Sequence, residues 1–435
     1  MSAERALMLT GGRVVDPSQE IDEPRDVLIV DGRVEAVEAN IAGPDDALTI
    51  DVSGFVVAPG LVDVHVHLRE PGGEHKETIR SGAQAAAAGG FTTIWAMPNT
   101  DPPLDDPAAV GYVRQQARRW ARRGEGGARV SPVGAATQGL AGAQMTEIGG
   151  LVEAGAVAVT DDGHPIADSG MMRRLLEYTQ TFGIPVLQHA EDMSLTAGGV
   201  MNEGAVATAL GLRGIPSASE SAVVARDICI AELTGGHLHI QHVSTREAVD
   251  SIRRARERGV HVTAEATPHH LALTQDAVRD YRTDAKMNPP LRSEADRQAI
   301  RQGLIDGVLE MVATDHAPHH YGEKEREFDD APFGIVGLET ALGVCIEELV
   351  VPGDLTLSQL IDRMSCAPAR AMGIAGGTLR PGSPADILVM DPDARWTVDA
   401  AAFRSLSRNT PFAGREVTGR VVRTIVGGDT RFIAD

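Results

Sequence analysis

Two histidines one residue apart give the clearest chemical signal in the sequence. The run Leu61–Leu68 is apolar and β-branched, follows Pro59-Gly60, and is typical of a buried strand. Because side chains alternate faces along a strand, His65 and His67 should point the same way. Two imidazoles on one face at a strand end can bind one metal ion. The alternative is a pair of core histidines whose nitrogens are satisfied by hydrogen bonds.

Further imidazole and carboxylate groups stand at the ends of later apolar runs. These candidate ligands are Asp161, Asp162, His189, His242 and Asp315. Buried charges without partners are costly, so such a cluster needs a shared counter-ion. Imidazole and carboxylate without thiolate suit Zn²⁺, with Mn²⁺ or Co²⁺ as substitutes. Six ligands, counting one of the adjacent aspartates, exceed one tetrahedral zinc ion and predict two divalent ions that share a ligand and a water molecule.

Alternating strands and helices must position these groups. The predicted strands are Leu61–Leu68, Thr92–Met97, Arg129–Gly134, Ala156–Thr160, Pro185–His189, Leu238–His242, His261–Ala266 and Leu309–Thr314. Helical patterns lie between most of them, at Glu77–Ala88, Ser169–Thr181, Glu220–Leu233 and Thr245–Arg258. Eight βα units over roughly 300 residues predict an α/β fold, a (β/α)8 TIM barrel with catalytic groups at the C-terminal strand ends. The alternative is a doubly wound open sheet, but no GxGxxG follows a strand.

Both ends of the chain consist of short apolar runs joined by turns. Gly11-Gly12 and Asp31-Gly32 predict hairpins, and Gly427-Gly428 predicts another turn. The two flanks together predict one small β-sandwich-like domain, because chain ends often lie close together. The expected division is 1–57 and 375–435 for this domain and 58–374 for the barrel.

Composition limits the kind of partner and the compartment. The 435 residues are 43% hydrophobic, enough for a sizeable core, and the formal net charge is −21. That charge argues against nucleic acid or an anionic membrane, and a small anionic substrate would need local arginines. The cysteines, Cys229, Cys345 and Cys366, are scattered, which favours a reducing compartment over disulfides. With no bilayer-length apolar run and no signal-like segment, we expect a cytoplasmic protein.

Nine stretches, in this order, resemble the amidohydrolase superfamily and, within it, class I dihydroorotases. They are Asp63-Val-His-Val-His-Leu-Arg-Glu-Pro-Gly-Gly73, Ala96-Met-Pro-Asn-Thr100, Thr160-Asp-Asp-Gly163, His189-Ala-Glu-Asp192, His242-Val-Ser-Thr245, Thr263-Ala-Glu-Ala-Thr-Pro-His-His270, Lys286-Met-Asn-Pro-Pro-Leu-Arg292, Ala313-Thr-Asp-His-Ala-Pro-His319 and Ala331-Pro-Phe-Gly-Ile-Val-Gly337. They extend over nearly the whole chain, and the ordered set is far more specific than HxH alone.

The resemblance implies a role for each matched residue. His65 and His67 would bind the first metal ion, His189 and His242 the second, and Asp315 would be both ligand and catalytic acid/base. The residues implied in substrate binding are His67, Arg69, Asn99, Asn288, His319, Phe333 and Gly334.

A bridging ligand is expected after the fourth strand. Many amidohydrolases use a carboxylated lysine there, whereas this strand ends in Val159-Thr-Asp-Asp-Gly163 and none of the three lysines is near. A direct aspartate bridge, as in bacterial members, is therefore implied. Family matching favours Asp162, and Asp161 would then lie behind the ligands or face solvent. Neighbours on a strand point to opposite faces, so the choice between them stays open.

The implied reaction is the reversible hydrolysis of the dihydroorotate ring amide to N-carbamoyl-aspartate. Asp315 would move the proton between water and the ring nitrogen, and Arg69 would hold the substrate carboxylate. Two alternatives stay open: a related hydantoinase, dihydropyrimidinase or allantoinase, and a non-catalytic partner of aspartate carbamoyltransferase. We expect a homodimer, and association with aspartate carbamoyltransferase stays open. The charged segment 320–331 is interpreted as a solvated loop, with a mobile lid as the sharper hypothesis.

Overall fold

Seven short strands precede the HxH motif in the computed structural model, which describes residues 6–434. In chain order, β1 to β7 are Ala6–Thr10, Arg13–Asp16, Ile21–Pro24, Asp26–Val30, Arg33–Glu38, Leu48–Asp51 and Val56–Pro59. Four of them form a sheet in the order β5-β4-β1-β6. The other three belong to a second sheet, in which β7 pairs with a strand from the far end of the chain.

The middle of the chain contributes parallel strands that carry the candidate ligands. Strands β8 to β18 are Leu61–Val66, Phe91–Ala96, Arg129–Pro132, Gly134–Ala135, Val159–Thr160, Val186–Gln188, Met201–Asn202, Gly214–Ile215, Leu238–Ile240, Val262–Ala266 and Met311–Val312. They form one sheet in the order β10-β9-β8 and another in the order β11-β12-β13-β16-β17-β18, while β14 and β15 pair separately. Only Val133 separates β10 from β11, and a parallel bridge joins Val66 to His316. All eight predicted strands are present in chain order, so their C-terminal ends meet at one edge.

The last three strands combine with the first ones. Strands β19 to β21 are Ile387–Thr397, Glu416–Val426 and Asp429–Ile433. They extend a sheet in the order β21-β20-β19-β7-β2-β3, so both chain ends contribute to it. One apolar cluster includes Leu9 and Ile29 from the first sheet and Val57 and Val389 from this one. Burial of these side chains therefore joins the two sheets.

Helices lie between the parallel strands, as predicted. In chain order, α1 to α14 are Ile79–Ala88, Pro107–Arg122, Ile148–Ala154, Ser169–Thr179, Met193–Thr196, Ala205–Leu210, Ala218–Thr234, Arg246–Glu257, Pro268–Ala272, Glu294–Ile305, Tyr321–Lys324, Ala341–Cys345, Leu357–Ile361 and Ala367–Ala371. Short 3₁₀ segments are Pro17–Gln19, Gln138–Leu140, Gln180–Phe182, Gln275–Tyr281, Thr283–Ala285 and Ala400–Ala402, and π-helical turns are Ile346–Val350 and Asp362–Cys366. Among residues 6–434, no helix combines the length and apolarity that a membrane span requires.

Local sequence explains where these helices begin and which face they bury. Helix α8 begins after Thr245, whose side chain accepts a hydrogen bond from the Ala248 backbone N–H. Its buried residues Ala248, Val249, Ile252 and Ala255 follow helical spacing and face the core. The four predicted helices correspond to α1, α4, α7 and α8, and they are confirmed.

The predicted hairpin at Gly11-Gly12 is wrong. Strand β1 pairs with β4 and β6, whereas β2 pairs with β3 and β7, so this dipeptide leads from one sheet into the other. Asp31-Gly32 does join the antiparallel strands β4 and β5, with φ of 49° and 77° as a tight hairpin requires. Gly427-Gly428 likewise turns β20 into β21. The glycines mark turns correctly but do not determine which strands pair.

Candidate active site

A cavity of about 350 Å³ opens where the parallel strands end. Of the predicted site residues, only His65 does not line it, because His65 is fully buried beneath its floor. The predicted residues that do line it are His67, Arg69, Asn99, Asp162, His189, His242, Asn288, Asp315, His319, Phe333 and Gly334. Residues far apart in sequence are thus brought together by the strand order.

Three groups of buried side chains at the floor of the cavity could each hold a metal ion. The groups are His65, His67 and Asp162; Asp162, His189 and His242; and His65, His242 and Asp315. Within each group, the potential ligand atoms lie within 4.8 Å of one another. Asp162 belongs both to the group with the first two histidines and to the group with the last two. His65 and His242 also occur in two groups each, but Asp162 offers two carboxylate oxygens and is therefore the one suited to contact two ions at once.

The surroundings of His65 Nε2 show whether the site could hold a metal ion. His65 Nε2 is buried and has no hydrogen-bond partner among the described residues. It lies 3.5 Å from Asp162 Oδ1 and 3.4 Å from Asp315 Oδ1. A buried polar atom without a partner is costly, and two carboxylates facing it supply the charge that a cation needs. The donor set of imidazoles and carboxylates therefore fits divalent metal ions.

Glu265, to which no role was assigned, fixes the orientation of His65. Its Oε1 lies 2.6 Å from His65 Nδ1 and also accepts the backbone N–H of His242, at 3.1 Å. Its Oε2 lies 3.0 Å from His239 Nε2, and the carboxylate is fully buried. A proton on Nδ1 bound to Glu265 leaves the lone pair of Nε2 directed at the carboxylates. The carboxylate thus selects the His65 tautomer that can bind a metal.

Asp63 connects the first parallel strand with the last. Its carboxylate accepts hydrogen bonds from the His65 backbone N–H at 3.1 Å and from the Thr314 hydroxyl at 2.6 Å. Burial raises the pKa of Asp63 to about 7, although these hydrogen bonds oppose the shift. Since His65 is one of the two bound residues and Asp315 follows the other, Asp63 helps to set the distance between His65 and Asp315.

Two more side chains orient histidines from behind. Glu191 Oε2 lies 3.0 Å from His189 Nε2, which leaves Nδ1 on the side of Asp162, 3.8 Å from its Oδ1. Asn99 Oδ1 lies 2.9 Å from His67 Nδ1, and the Asn99 amide donates to the Asp162 carbonyl at 3.2 Å. The predicted substrate contact of Asn99 stays a prediction, because both of its polar atoms already have protein partners.

Of the two positions expected for Asp161, behind the ligands or facing solvent, the structure shows the first. Its side chain is only 1% exposed, and it accepts the Thr137 backbone N–H at 2.8 Å as well as the Thr137 hydroxyl. Neighbouring residues on a strand point to opposite sides, so Asp161 lies behind the site while Asp162 faces it. Asp161 therefore fixes the end of the fourth strand, and Asp162 is the aspartate that faces the candidate ligand groups.

Three site residues adopt left-handed backbone conformations that are unusual for side chains other than glycine. Their φ angles are 60° for Arg69, 34° for His242 and 46° for Asp315. Such conformations cost free energy and persist where the surroundings impose them, often at functional sites. Each comes two or three residues after the end of a parallel strand and lines the cavity.

Arg69 and His319 form a polar pair on the cavity wall. Arg69 Nε donates to the Pro318 carbonyl at 3.2 Å, and Arg69 Nη2 lies 3.4 Å from His319 Nε2. Burial lowers the pKa of Arg69 to about 10, which leaves the guanidinium charged at neutral pH. Burial also lowers the pKa of His319, to about 2, with the Arg69 charge acting in the same direction. The pair thus presents one positive charge and a neutral imidazole.

The interpretation of residues 320–331 as a solvated loop is wrong in part. The segment contains helix α11, and Lys324 and Phe328 are each only 4% exposed. Lys324 Nζ donates to the Pro332 carbonyl at 2.8 Å, and Lys286 Nζ donates to the Phe328 carbonyl at 2.6 Å. Lys76 Nζ lies 3.2 Å from Glu323 Oε1, so all three lysines of the chain surround this segment. None is available as a bridge beside Asp162, and the mobile lid stays a prediction.

Phe333 and Gly334 follow this segment and form part of the cavity wall. The Gly334 backbone N–H donates to the Lys286 carbonyl at 2.9 Å. Asn288, which also lines the cavity, donates to Glu191 Oε2 at 3.0 Å. Glu191 thus positions a metal-ligand candidate and a substrate-contact candidate together.

Comparison with known proteins identifies the family. The family model described as "Dihydro-orotase-like" matches residues 54–248. A dihydroorotase from Geobacter metallireducens is 53% identical over 97% of this chain and 98% of its own, and one from Syntrophotalea carbinolica is 52% identical over the same shares.

Solved structures agree on the fold. The L-hydantoinase (dihydropyrimidinase) from Arthrobacter aurescens has a TM-score of 0.86 and 29% identity, and the alignment covers 98% of this chain and 95% of that one. The dihydropyrimidinase from Brevibacillus agri has a TM-score of 0.84 and 25% identity, covering 98% and 94%. The predicted α/β class is therefore confirmed. Given identities near 50% over nearly its whole length, the chain belongs to the dihydroorotase family of hydrolases.

Proposed function

We propose that the protein is a class I dihydroorotase of the bacterial type, which interconverts N-carbamoyl-L-aspartate and L-dihydroorotate in the cytoplasmic synthesis of pyrimidines. The observation that carries this proposal is the position of Arg69 and His319 beside the metal-ligand groups, in one cavity. A ring amide at the cavity floor and a carboxylate on its wall are the two features of dihydroorotate that such a cavity would recognise.

Two Zn²⁺ ions are the cofactor that we propose. His65 and His67 would hold one ion, His189 and His242 the other, and Asp162 would bridge them without a carboxylated lysine. When bound, such ions lower the pKa of a water molecule and polarise an amide carbonyl. Two observations support this assignment. His65 Nε2 has no hydrogen-bond partner among the described residues, and Asp162 belongs both to the group with His65 and His67 and to the group with His189 and His242.

Asp315 would transfer the proton. It lies 3.1 Å from His67 Nε2 at the cavity floor, and although burial tends to raise its pKa, His65 and His67 lower it to about 2. An ionised Asp315 can accept a proton from the attacking water and deliver it to the ring nitrogen as the amide bond breaks. In the direction of synthesis, it would remove a proton from the ureido nitrogen.

Arg69 and His319 would bind the substrate carboxylate. The guanidinium uses Nε on the Pro318 carbonyl, so its terminal nitrogens can reach a bound anion. Asn99, Asn288 and the backbone of Phe333 and Gly334 would contact the ring. In a protein with net charge −21, this local positive charge is what would admit a dianionic product.

The architecture that we propose is a closed eight-stranded barrel, residues 58–374, with a small β-sandwich-like domain built from 1–57 and 375–435. The bridge between Val66 and His316 and the near-continuity of β10 and β11 support closure. A homodimer is the proposed assembly, and association with aspartate carbamoyltransferase stays open.

A related cyclic amidase is the second candidate, because the solved structures reported above are hydantoinases and dihydropyrimidinases. The test is a substrate panel on purified protein whose metal content per chain is measured in the same sample. We expect about two metal ions per chain and turnover of dihydroorotate well above that of dihydrouracil or hydantoin. Preference for a ring without a carboxylate would favour the second candidate. Bound metal without turnover of any of them would favour a non-catalytic role.

A further inference from the structure

A segment from near the C-terminus, residues 403–412, lies against the barrel beside the cavity; we refer to it as the crossing segment. Its Ser405 hydroxyl binds the buried carboxylate of Glu77, and the Ser407 hydroxyl donates to the Lys76 carbonyl at 2.7 Å. Glu339 accepts the Ser405 backbone N–H at 3.1 Å. The crossing segment is thus attached to the barrel independently of the cavity.

Asn409 of the crossing segment makes a different set of contacts. Its side-chain Oδ1 accepts the His319 backbone N–H at 3.0 Å. Its Nδ2 donates to the carbonyls of Ala317 and Gly334, each at 3.0 Å. Asn409 is only 4% exposed, so water cannot readily replace these three hydrogen bonds. One side chain therefore ties together two stretches of the cavity wall, the one that ends in His319 and the one that contains Gly334.

These two stretches touch so closely that their separation is narrowly defined. A Cβ atom at Gly334 would lie 2.6 Å from the Ala317 carbonyl oxygen and 2.7 Å from His319 Cδ2. Gly334 also has a φ of 151°, which side chains rarely adopt. The carbonyl oxygens of Ala317 and Gly334 both accept a hydrogen bond from Asn409 Nδ2, so the amide offsets the repulsion between two neighbouring acceptors. A residue that only accepts could not do this.

We propose that Asn409 is a positioning residue for substrate: through His319 and Gly334 it sets the shape of the wall that receives the carboxylate and ring. The inference rests on the proposed function, because it concerns how that substrate is bound. A buried amide with all its hydrogen-bonding groups used holds its partners more rigidly than apolar packing does. Misplacement by about 1 Å costs on the order of 10²-fold in rate, so the loss in kcat/KM should be large.

The test compares Asn409→Ala and Asn409→Asp with Ser407→Ala, which removes a buried hydrogen bond of the same segment away from the cavity. Steady-state kinetics with dihydroorotate and metal content are measured for each variant. We expect the Asn409 variants to raise KM about ten-fold or more with wild-type metal content, and Ser407→Ala to leave KM near the wild-type value. The Asn409→Asp variant keeps the acceptor for His319 but loses both donor hydrogens.

A pH profile separates positioning from general destabilisation. Once protonated, the acid in Asn409→Asp regains one donor, so its KM relative to wild type should fall as the pH is lowered from 8 to 6. A KM for both Asn409 variants no higher than that of Ser407→Ala would overturn the inference. So would losses that follow the fraction of unfolded or metal-free protein. A wild-type protein that does not turn over dihydroorotate would instead refute the proposed function.

Discussion

Replacing Arg69 by methionine should separate recognition of the substrate carboxylate from the chemistry at the metal site. Methionine preserves most of the apolar stem and removes the guanidinium, which contacts the Pro318 carbonyl and lies beside His319. The metal-ligand groups do not include Arg69, so metal content should stay at the wild-type level. Arg118→Met, on an exposed part of helix α2, is the control for the same chemical change elsewhere.

The size of the effect follows from the environment of Arg69. Removing one partner of a buried, charge-assisted pair costs about 2–5 kcal/mol. Arg69 retains partial exposure at the cavity mouth, so we expect the lower part of that range, about 2–3 kcal/mol. At about 1.4 kcal/mol for each factor of ten, this predicts a loss in kcat/KM for dihydroorotate of roughly 30- to 150-fold.

The assay compares dihydroorotate with dihydrouracil, which has the same ring amide and no carboxylate. Arg69→Met should reduce kcat/KM for dihydroorotate far more than for dihydrouracil, while Arg118→Met should leave both near the wild-type values. Equal fractional losses on the two substrates would refute the reasoning. They would mean that Arg69 supports the cavity through Pro318 and does not recognise the carboxylate.

Three further perturbations test other parts of the site. Asp315→Asn should keep most of the metal and lose at least ~10²-fold in turnover. Near-normal turnover in this variant would show that Asp315 does not transfer the proton. Glu265→Gln should weaken metal retention during dialysis against a chelator by about 10- to 100-fold, because it replaces the charged partner of His65 Nδ1 by a neutral amide. Glu310→Gln is the control. Burial lowers the pKa of Lys324 to about 7, whereas the pKa of a lysine in an unfolded chain is about 10.4. Between these two pH values, the unfolded chain therefore binds one more proton than the folded protein. The free energy of unfolding should therefore rise from pH 7 to 10, by at most about 1.4 kcal/mol per pH unit, and Lys324→Met should lack this increment.

The metal-ligand groups could be anticipated from sequence because each ligand stands at the end of its own strand. His65 and His67 share a local motif, and the parallel arrangement then brings distant strand ends to one place. Sequence could not choose firmly between Asp161 and Asp162. The choice depends on the face that each side chain takes, and a strand of only two residues, Val159–Thr160, gives little pattern to read.

The residues that support the ligands were harder to foresee. Glu265 stands within a matched motif, but its partner His65 is 200 residues away, so no local pattern connects them. A glutamate in the middle of an apolar strand is a signal that could have marked it. The charged composition of segment 320–331 predicted more exposure than the structure shows. Composition does not reveal that Lys324 and Phe328 are buried. Local charge density is not a sufficient guide to exposure, because a lysine can bury its long side chain and donate to a carbonyl inside the protein, as Lys324 does to Pro332.

The crossing segment also has a consequence for the order in which the protein is made. The chain is synthesised from its N-terminus, and residues 403–412 come close to its end. The metal-ligand groups are complete once Asp315 has been synthesised, whereas the wall held by Asn409 is not. A growing chain can therefore gather its metal-binding residues well before it has a finished place for substrate, and ribosome-bound chains that end between these two points would separate the two stages.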